Sequence, residues 1–188
     1  MTTSTKREHI INTAMELFYK DGFHATGVEK IIKHAKVSKK TLYNHFRSKD
    51  ELILATLRKS DELLRNDFMR TVESLTKDPI EQLSAIFDAL EEWFKDRNFY
   101  GCIFINAAAE FSDHENPGHI VCAEHKRLMF EYVRDVAKRA GAKNPTKLAE
   151  QINLLAEGAI VNAHVGGDKN AAQTAKQMAL FFIEQEVS

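Results

Sequence analysis

The stretch Lys39-Lys40-Thr41-Leu42-Tyr43-Asn44-His45-Phe46-Arg47 sets two kinds of chemistry side by side. At about 100° per residue, Leu42 and Phe46 fall together as an apolar seam, while Lys39, Lys40, Tyr43, Asn44 and Arg47 spread over another arc. Cationic groups neutralise phosphates, and amide or ammonium groups bond base edges, so that arc suits a DNA major groove. The competing reading is a merely solvated face, which is what most Lys/Arg-rich helix surfaces are. The surroundings favour DNA. Val28, Ile31, Ile32 and Ala35 sit at helical spacing just upstream, Lys36–Ser38 predicts a short turn, and the Ser38 hydroxyl is a good N-cap. The pattern predicts a helix-turn-helix with Lys39–Arg47 as its recognition helix.

The run Thr41-Leu42-Tyr43-Asn44-His45-Phe46, followed by Ser48-Lys49-Asp50-Glu51-Leu52 and preceded by Val37-Ser38-Lys39, resembles the signature of the TetR/AcrR transcriptional regulators. The motif-bearing part spans roughly Thr5 to Leu57, and the remainder is compatible in length and pattern. The resemblance implies a homodimeric, ligand-responsive DNA-binding protein, most often a repressor released from a palindromic operator by a small molecule. By motif position, it implies that Lys39 and Lys40 face bases and that Thr41, Tyr43, His45 and Lys49 hold phosphates. Asn44 joins this DNA-binding set from its place on the outward arc. Two positions depart from the family. Lys36 stands where a turn glycine is usual and must adopt a left-handed or distorted conformation at a cost of roughly 1–2 kcal/mol. Lys40 replaces a common glycine, so base preference cannot be copied from relatives.

Charge supports the same division of labour. Residues 1–50 hold ten Lys and Arg against five Asp and Glu, a net +5, whereas residues 51–188 carry −6. A basic head on an acidic body directs the head toward nucleic acid. The longest charge-free apolar stretch, Asn98–Ala109, is too short to cross a bilayer, so no membrane partner is expected. The first residues lack the apolar core of a secretory signal, and Cys102 and Cys122 form no disulfide framework or zinc motif; a cytoplasmic location is the resulting expectation.

The elements that must hold this head follow from caps and periodicity. Thr5 to Glu8 reads as a capping box ahead of Ile10, Ile11, Ala14, Leu17 and Phe18, and Gly22 ends that first helix. Lys6 and Arg7 at its start either touch the DNA backbone or form a solvated arm. Ser48 to Glu51 is a second capping box, opening a helix that can run to about Thr76 as a strut between head and body. Asp78-Pro79 starts the next helix, Cys102–Ser112 and His119–Ala140 are two more, Asn144-Pro145 opens the eighth, and Asp168 caps the ninth. No segment alternates with period two. The fold class expected is all-α: an N-terminal three-helix helix-turn-helix head, residues 1–47, and a C-terminal helical bundle body, residues 48–188, with about nine helices in all.

The last two helices are apolar on more than one side: Leu148, Ile152, Leu155, Ala159 and Ala163 make one stripe, with Leu154, Val161 and Val165 elsewhere. Such helices must be sandwiched or paired, so they are the expected homodimer interface, a four-helix bundle across a two-fold axis. The competing reading places them at the centre of a monomeric core.

Within the body, Trp93, Phe94, Cys102, Phe104, Asn106, Glu110, Phe130 and Glu157 supply the mix of apolar walls and sparse polar groups that small-molecule pockets use, or else an ordinary packed core. An inward, uncompensated Glu110 or Glu157 would favour a cationic or hydrogen-bond-donating effector. Cys102 at a helix start is either a reactive thiol sensing oxidants or a small buried residue. His114, His119, Cys122 and His125 cluster near one helix start, but the three helical positions spread over about 120°, which is awkward for a single metal; no metal or other cofactor is expected. No phosphate-cradling glycine loop, nucleophile elbow or HExxH motif is present, so no catalytic residues are assigned. Two other readings are a thiol-responsive regulator acting through Cys102 and a helical enzyme or adaptor that ignores DNA.

Overall fold

The structure, a computed structural model, describes residues 3–187. Among these residues the chain forms nine helices and no strand: α1 (Thr3–Asp21), α2 (Val28–Ala35), α3 (Lys39–His45), α4 (Lys49–Leu75), α5 (Pro79–Phe94), α6 (Ile103–Glu110), α7 (Pro117–Arg139), α8 (Pro145–Gly166) and α9 (Ala171–Val187). The fold class read from the sequence is the one observed. Most deviations lie at helix ends. Because α1 already begins at Thr3, Thr5 is inside the helix and does not cap it. Asp168 bonds the Asn170 N–H in a tight turn, and α9 starts only at Ala171. The Ser48 box forms with a twist: Ser48 Oγ accepts the Glu51 N–H at 3.1 Å, but Glu51 Oε2 reaches past Ser48 to the Arg47 N–H at 2.7 Å. Asp78 and Asn144 cap α5 and α8 through the Ile80 and Lys147 N–H groups, each with proline at the first turn.

Contacts divide the chain into two compact units. One comprises residues up to Leu63 together with Cys102–His125; the other comprises Leu64–Gly101 and the residues from Lys126 onward. In the first unit, Ile10, Ala14 and Phe18 of α1 are buried with Ile31 of α2, Leu42 of α3 and Leu52 and Leu57 of α4. Phe18 and Phe23 stack at 4.9 Å between centroids, and His9 Nε2 lies 2.9 Å from the Ala35 carbonyl, bracing α1 on the end of α2. In the second unit, Leu83, Ile86, Phe87 and Leu90 of α5 meet a core that includes Leu148, Ile152, Ala172, Ala179 and Ile183 of α8 and α9. Truncating a leucine in such a core costs about 2–5 kcal/mol. Ile80, in the first turn of α5, is 42% exposed.

Opposite that core, α8 and α9 leave a large apolar surface in water. Leu154 is 76% exposed, Val165 80%, Phe181 60% and Met178 54%, with Val161 and Leu180 also exposed. Large contiguous apolar patches on a protein surface mark interaction sites.

Candidate nucleic-acid interface

The helix-turn-helix is set by three local devices. Lys36 caps α2 in the left-handed region, φ 52° and ψ 42°, the only positive-φ residue other than glycine among the described residues. Its N–H and that of Val37 both bond the Ile32 carbonyl, which closes the helix end. Ser38 then caps α3 by accepting the Thr41 N–H at 3.0 Å. Leu42 is fully buried and Phe46 nearly so, giving the inward seam the periodicity predicts. The recognition helix is shorter than expected: it ends at His45, and Phe46 is extended at φ −140°, because its ring turns inward to seal the core.

Above that seam, Lys39, Lys40, Tyr43 and Asn44 are exposed, and Thr41 and His45 are half-buried. Lys40 carries no ion pair among the described residues, whereas Lys39 Nζ bonds Glu29 Oε1 of α2 at 2.8 Å. That hydrogen bond, with the attraction of the Glu29 charge, raises the Lys39 pKa above its ordinary value. Glu29 was not marked by the sequence; its position at the first turn of α2 gives no warning that it meets Lys39. The Thr41 hydroxyl pairs with Ser38 Oγ at 2.8 Å. Arg7, read as a DNA contact or a solvated arm, is exposed and sets its guanidinium 5.1 Å from the centre of the Phe46 ring.

Lys49 has a role the motif does not disclose. Its Nζ donates to the Phe23 carbonyl at 2.6 Å and lies 3.4 Å from that of His24, tying the start of α4 to the α1–α2 turn. An ammonium has three donors, so this bond leaves capacity for phosphate. Glu110, expected to aim an uncompensated carboxylate into a pocket, meets the other side of the same turn: Oε1 accepts the Phe23 N–H at 2.8 Å, and Oε2 accepts the His24 N–H at 2.6 Å and lies 2.7 Å from His24 Nδ1. Burial alone would push the Glu110 carboxyl up, but the two backbone N–H groups and the His24 ring outweigh it and hold the group below its ordinary value. Glu157 is also compensated, by two 2.7 Å bonds from Lys126 Nζ. The cationic-effector argument therefore loses its two carboxylates.

The other expected pocket residues are distributed between the units. In the first, Cys102 caps α6 at 7% exposure and Phe104 is buried, its ring 3.7 Å from that of His125; Asn106 is half-buried. Burial of the Cys102 sulfur fits a packing role better than a reactive one, since reactive thiols are partly exposed. In the second, Trp93 and Phe94 are half-buried and each meets Phe99 at 5.0 Å, and Phe130 has the Arg134 guanidinium 6.0 Å above it. Two clefts of about 630 and 280 Å³ in the first unit involve none of the eight residues. His119 bonds the Phe111 carbonyl at 2.7 Å and His125 bonds Asp61 at 2.8 Å, so they are engaged separately; no metal-binding group of His, Cys, Asp and Glu occurs among the described residues. Sequence reasoning passed over Tyr132, whose buried hydroxyl has no hydrogen-bond partner among the described residues and whose pKa is pushed up to about 12, first by burial and then by the Glu73 charge.

No helix of the described residues is long and apolar enough to cross a membrane. Residues 10–56 match the family model described as bacterial regulatory proteins, tetR family, and residues 79–179 match the tetracyclin repressor-like C-terminal domain. The chain is 21% identical over 174 residues to the HTH-type transcriptional regulator YjdC of Escherichia coli, covering 93% of this chain and 91% of that protein. It is 28% identical over 165 residues to the HTH-type transcriptional regulator LmrA of Bacillus subtilis, covering 86% and 87%. The crystal structure of SCO4454, a TetR-family transcriptional regulator from Streptomyces coelicolor, superposes with a TM-score of 0.90 at 25% identity, covering 98% of this chain and 97% of that one. With family models matching both the recognition-helix segment and more than half of the chain beyond it, this protein belongs to the TetR family of transcriptional regulators and carries that family's helix-turn-helix DNA-binding domain.

Proposed function

We propose that this regulator is a cytoplasmic, homodimeric repressor that leaves a palindromic operator when a small molecule binds its body. The functional boundary lies at residue 47, with residues 1–47 reading DNA and residues 48–188 serving effector binding and dimerisation, apart from Lys49 at the start of α4, which adds a phosphate contact. Lys39, Lys40 and Asn44 face base edges, while Thr41, Tyr43, His45 and Lys49 position the phosphates. The observation that carries the DNA assignment is the exposed Lys40–Tyr43–Asn44 surface standing on a fully buried Leu42. Dimerisation through α8 and α9 is supported by the uncovered Leu154, Val165 and Phe181, which a second copy would remove from water. A two-fold pair also supplies two recognition helices for two half-sites.

The effector binds among the aromatic residues of the second unit, Trp93, Phe94 and Phe130. The half-exposed cluster of Trp93 and Phe94 with Phe99 supports an apolar effector, and the Tyr132 hydroxyl is the polar handle. Glu110 and Glu157 are left out, because each already has a partner. Effector and DNA affinities oppose each other, coupled through a tilt of α4 that changes the spacing of the two heads. The test is enrichment of duplexes from a random pool by the purified protein, followed by a compound screen for release of the enriched duplex. A monomer in sedimentation, or no enriched duplex in dilute buffer, overturns the proposal.

A further inference from the structure

The turn Gly22-Phe23-His24 between α1 and α2 is held from two sides by charged groups that do not touch each other. From α6, the Glu110 carboxylate takes up both of its free N–H groups, at 2.8 and 2.6 Å. From the first residue of α4, the Lys49 ammonium takes up the Phe23 carbonyl at 2.6 Å. The fit is close. Gly22 has φ +87°, and a Cβ there would stand 3.0 Å from Glu110 Oε1, so any other residue would strain the turn and press on the carboxylate. Phe111, the residue after Glu110, packs its ring on Phe23 and His24, at 5.7 and 5.2 Å. Glu110 and the turn lie 86 residues apart in sequence, yet both belong to the first compact unit.

From this geometry we infer that Glu110 is a positioning residue for DNA binding, acting through the 22–24 turn on Lys49 and hence on the junction between the recognition helix and α4. The inference rests on the head being the DNA-reading part. Chain order sharpens it: Lys49 follows the recognition helix by four residues, and Arg47 between them has its own N–H capped by Glu51. A displaced 22–24 turn would draw the Lys49 ammonium, and the backbone that carries it, off its phosphate-facing position. An effector that moves α6 would thus act on the head through one carboxylate.

The sign of one substitution separates positioning from bulk electrostatics. Removing a negative charge near DNA strengthens binding if charge alone matters. Positioning predicts the reverse. Binding of a duplex enriched by the wild-type protein is measured for wild type, Glu110→Gln, Lys49→Met and the double variant. Expected are losses of about tenfold for each single change and no further loss in the double variant, because two groups acting through one turn are not additive. Tighter or unchanged binding by Glu110→Gln, or losses that multiply in the double variant, overturns the inference. Should Glu110→Gln fail to fold, hydrogen exchange on the wild type decides: adding the duplex must slow exchange of the Phe23 and His24 amides, and no slowing overturns it. If the wild type enriches no duplex, the DNA-binding reading falls and this inference with it; a wild type that binds beside an unaffected Glu110→Gln sinks the inference alone.

Discussion

The outer face of α3 and the outer face of α8 and α9 are both exposed, both built on buried seams, and opposite in chemistry. On α3, Lys40, Tyr43 and Asn44 stand outside Leu42 and Phe46; on α8 and α9, Leu154, Val165 and Phe181 stand outside Ile152, Ala159 and Ile183. Water solvates the first face, and DNA displaces that water only by exchanging condensed counterions. The second forgoes about 25 cal/mol for every Å² of apolar surface it keeps wet. The difference teaches that exposure does not identify a partner. Charge and amide groups select a polyanion, while uncovered aliphatic and aromatic groups select another apolar surface.

The strongest way to break the comparison is to place a charge on the apolar face. Leu154→Asp with Phe181→Asp buries four carboxylates, two from each copy, in any dimer across α8 and α9. Several kcal/mol per unpaired ion, discounted for the rim, gives a loss of association of at least about 100-fold. Sedimentation should show monomers with unchanged helicity, and dimers would place the interface elsewhere. Next in size, Lys40→Ala should erase about 1–3 kcal/mol of preference between the enriched duplex and random DNA. Equal losses on both would remove Lys40 from base readout. A smaller gain sharpens the head itself: Lys36→Gly relieves the left-handed strain of about 1–2 kcal/mol but adds backbone entropy to the unfolded chain. The expected net stabilisation is about 0.5–1 kcal/mol, read as a raised unfolding midpoint at unchanged DNA preference.

The smallest effect is a pH dependence shared by both units. Glu110 is held below its ordinary pKa by turn amides despite burial, and Glu186 of α9 by a hydrogen bond from Lys147 and the Asn144 N–H. A carboxyl whose folded pKa is depressed stabilises fully above its unfolded value, 4.5, and loses that contribution as pH falls through the lower folded value. Unfolding midpoints should therefore be flat above about pH 5.5 and decline below it. Glu110→Gln and Glu186→Gln should each flatten part of the decline; an undiminished acid decline in both variants would assign it to other carboxylates.

Much of the head was legible because its signals are local. Ser38 caps within three residues, Leu42 and Phe46 share a face by helical period, and Lys36 had to leave the helix because a short turn follows it. The apolar excess of α8 and α9 was equally legible, since Leu154 and Val165 lie off the stripe that Leu148 and Ile152 begin. The body chemistry was not. Glu110 looked like a pocket carboxylate because its partners, the amides of Phe23 and His24, are far away in sequence and leave no periodic mark. Glu29 and Lys39 are ten residues apart, on two helices whose crossing no spacing rule specifies.

By itself, then, the sequence determined helix positions, the all-α class, the cationic face of α3 and the apolar face at the end of the chain. Each follows from caps and periodicity within a few turns of backbone. The tertiary structure alone decided which charges are already partnered, and packed the segment Cys102–His125 with the N-terminal helices rather than with its neighbours in sequence. Hydrogen bonds between distant residues depend on where whole helices come to rest, and that is settled by the packing of Phe18, Phe23, Phe104 and their neighbours.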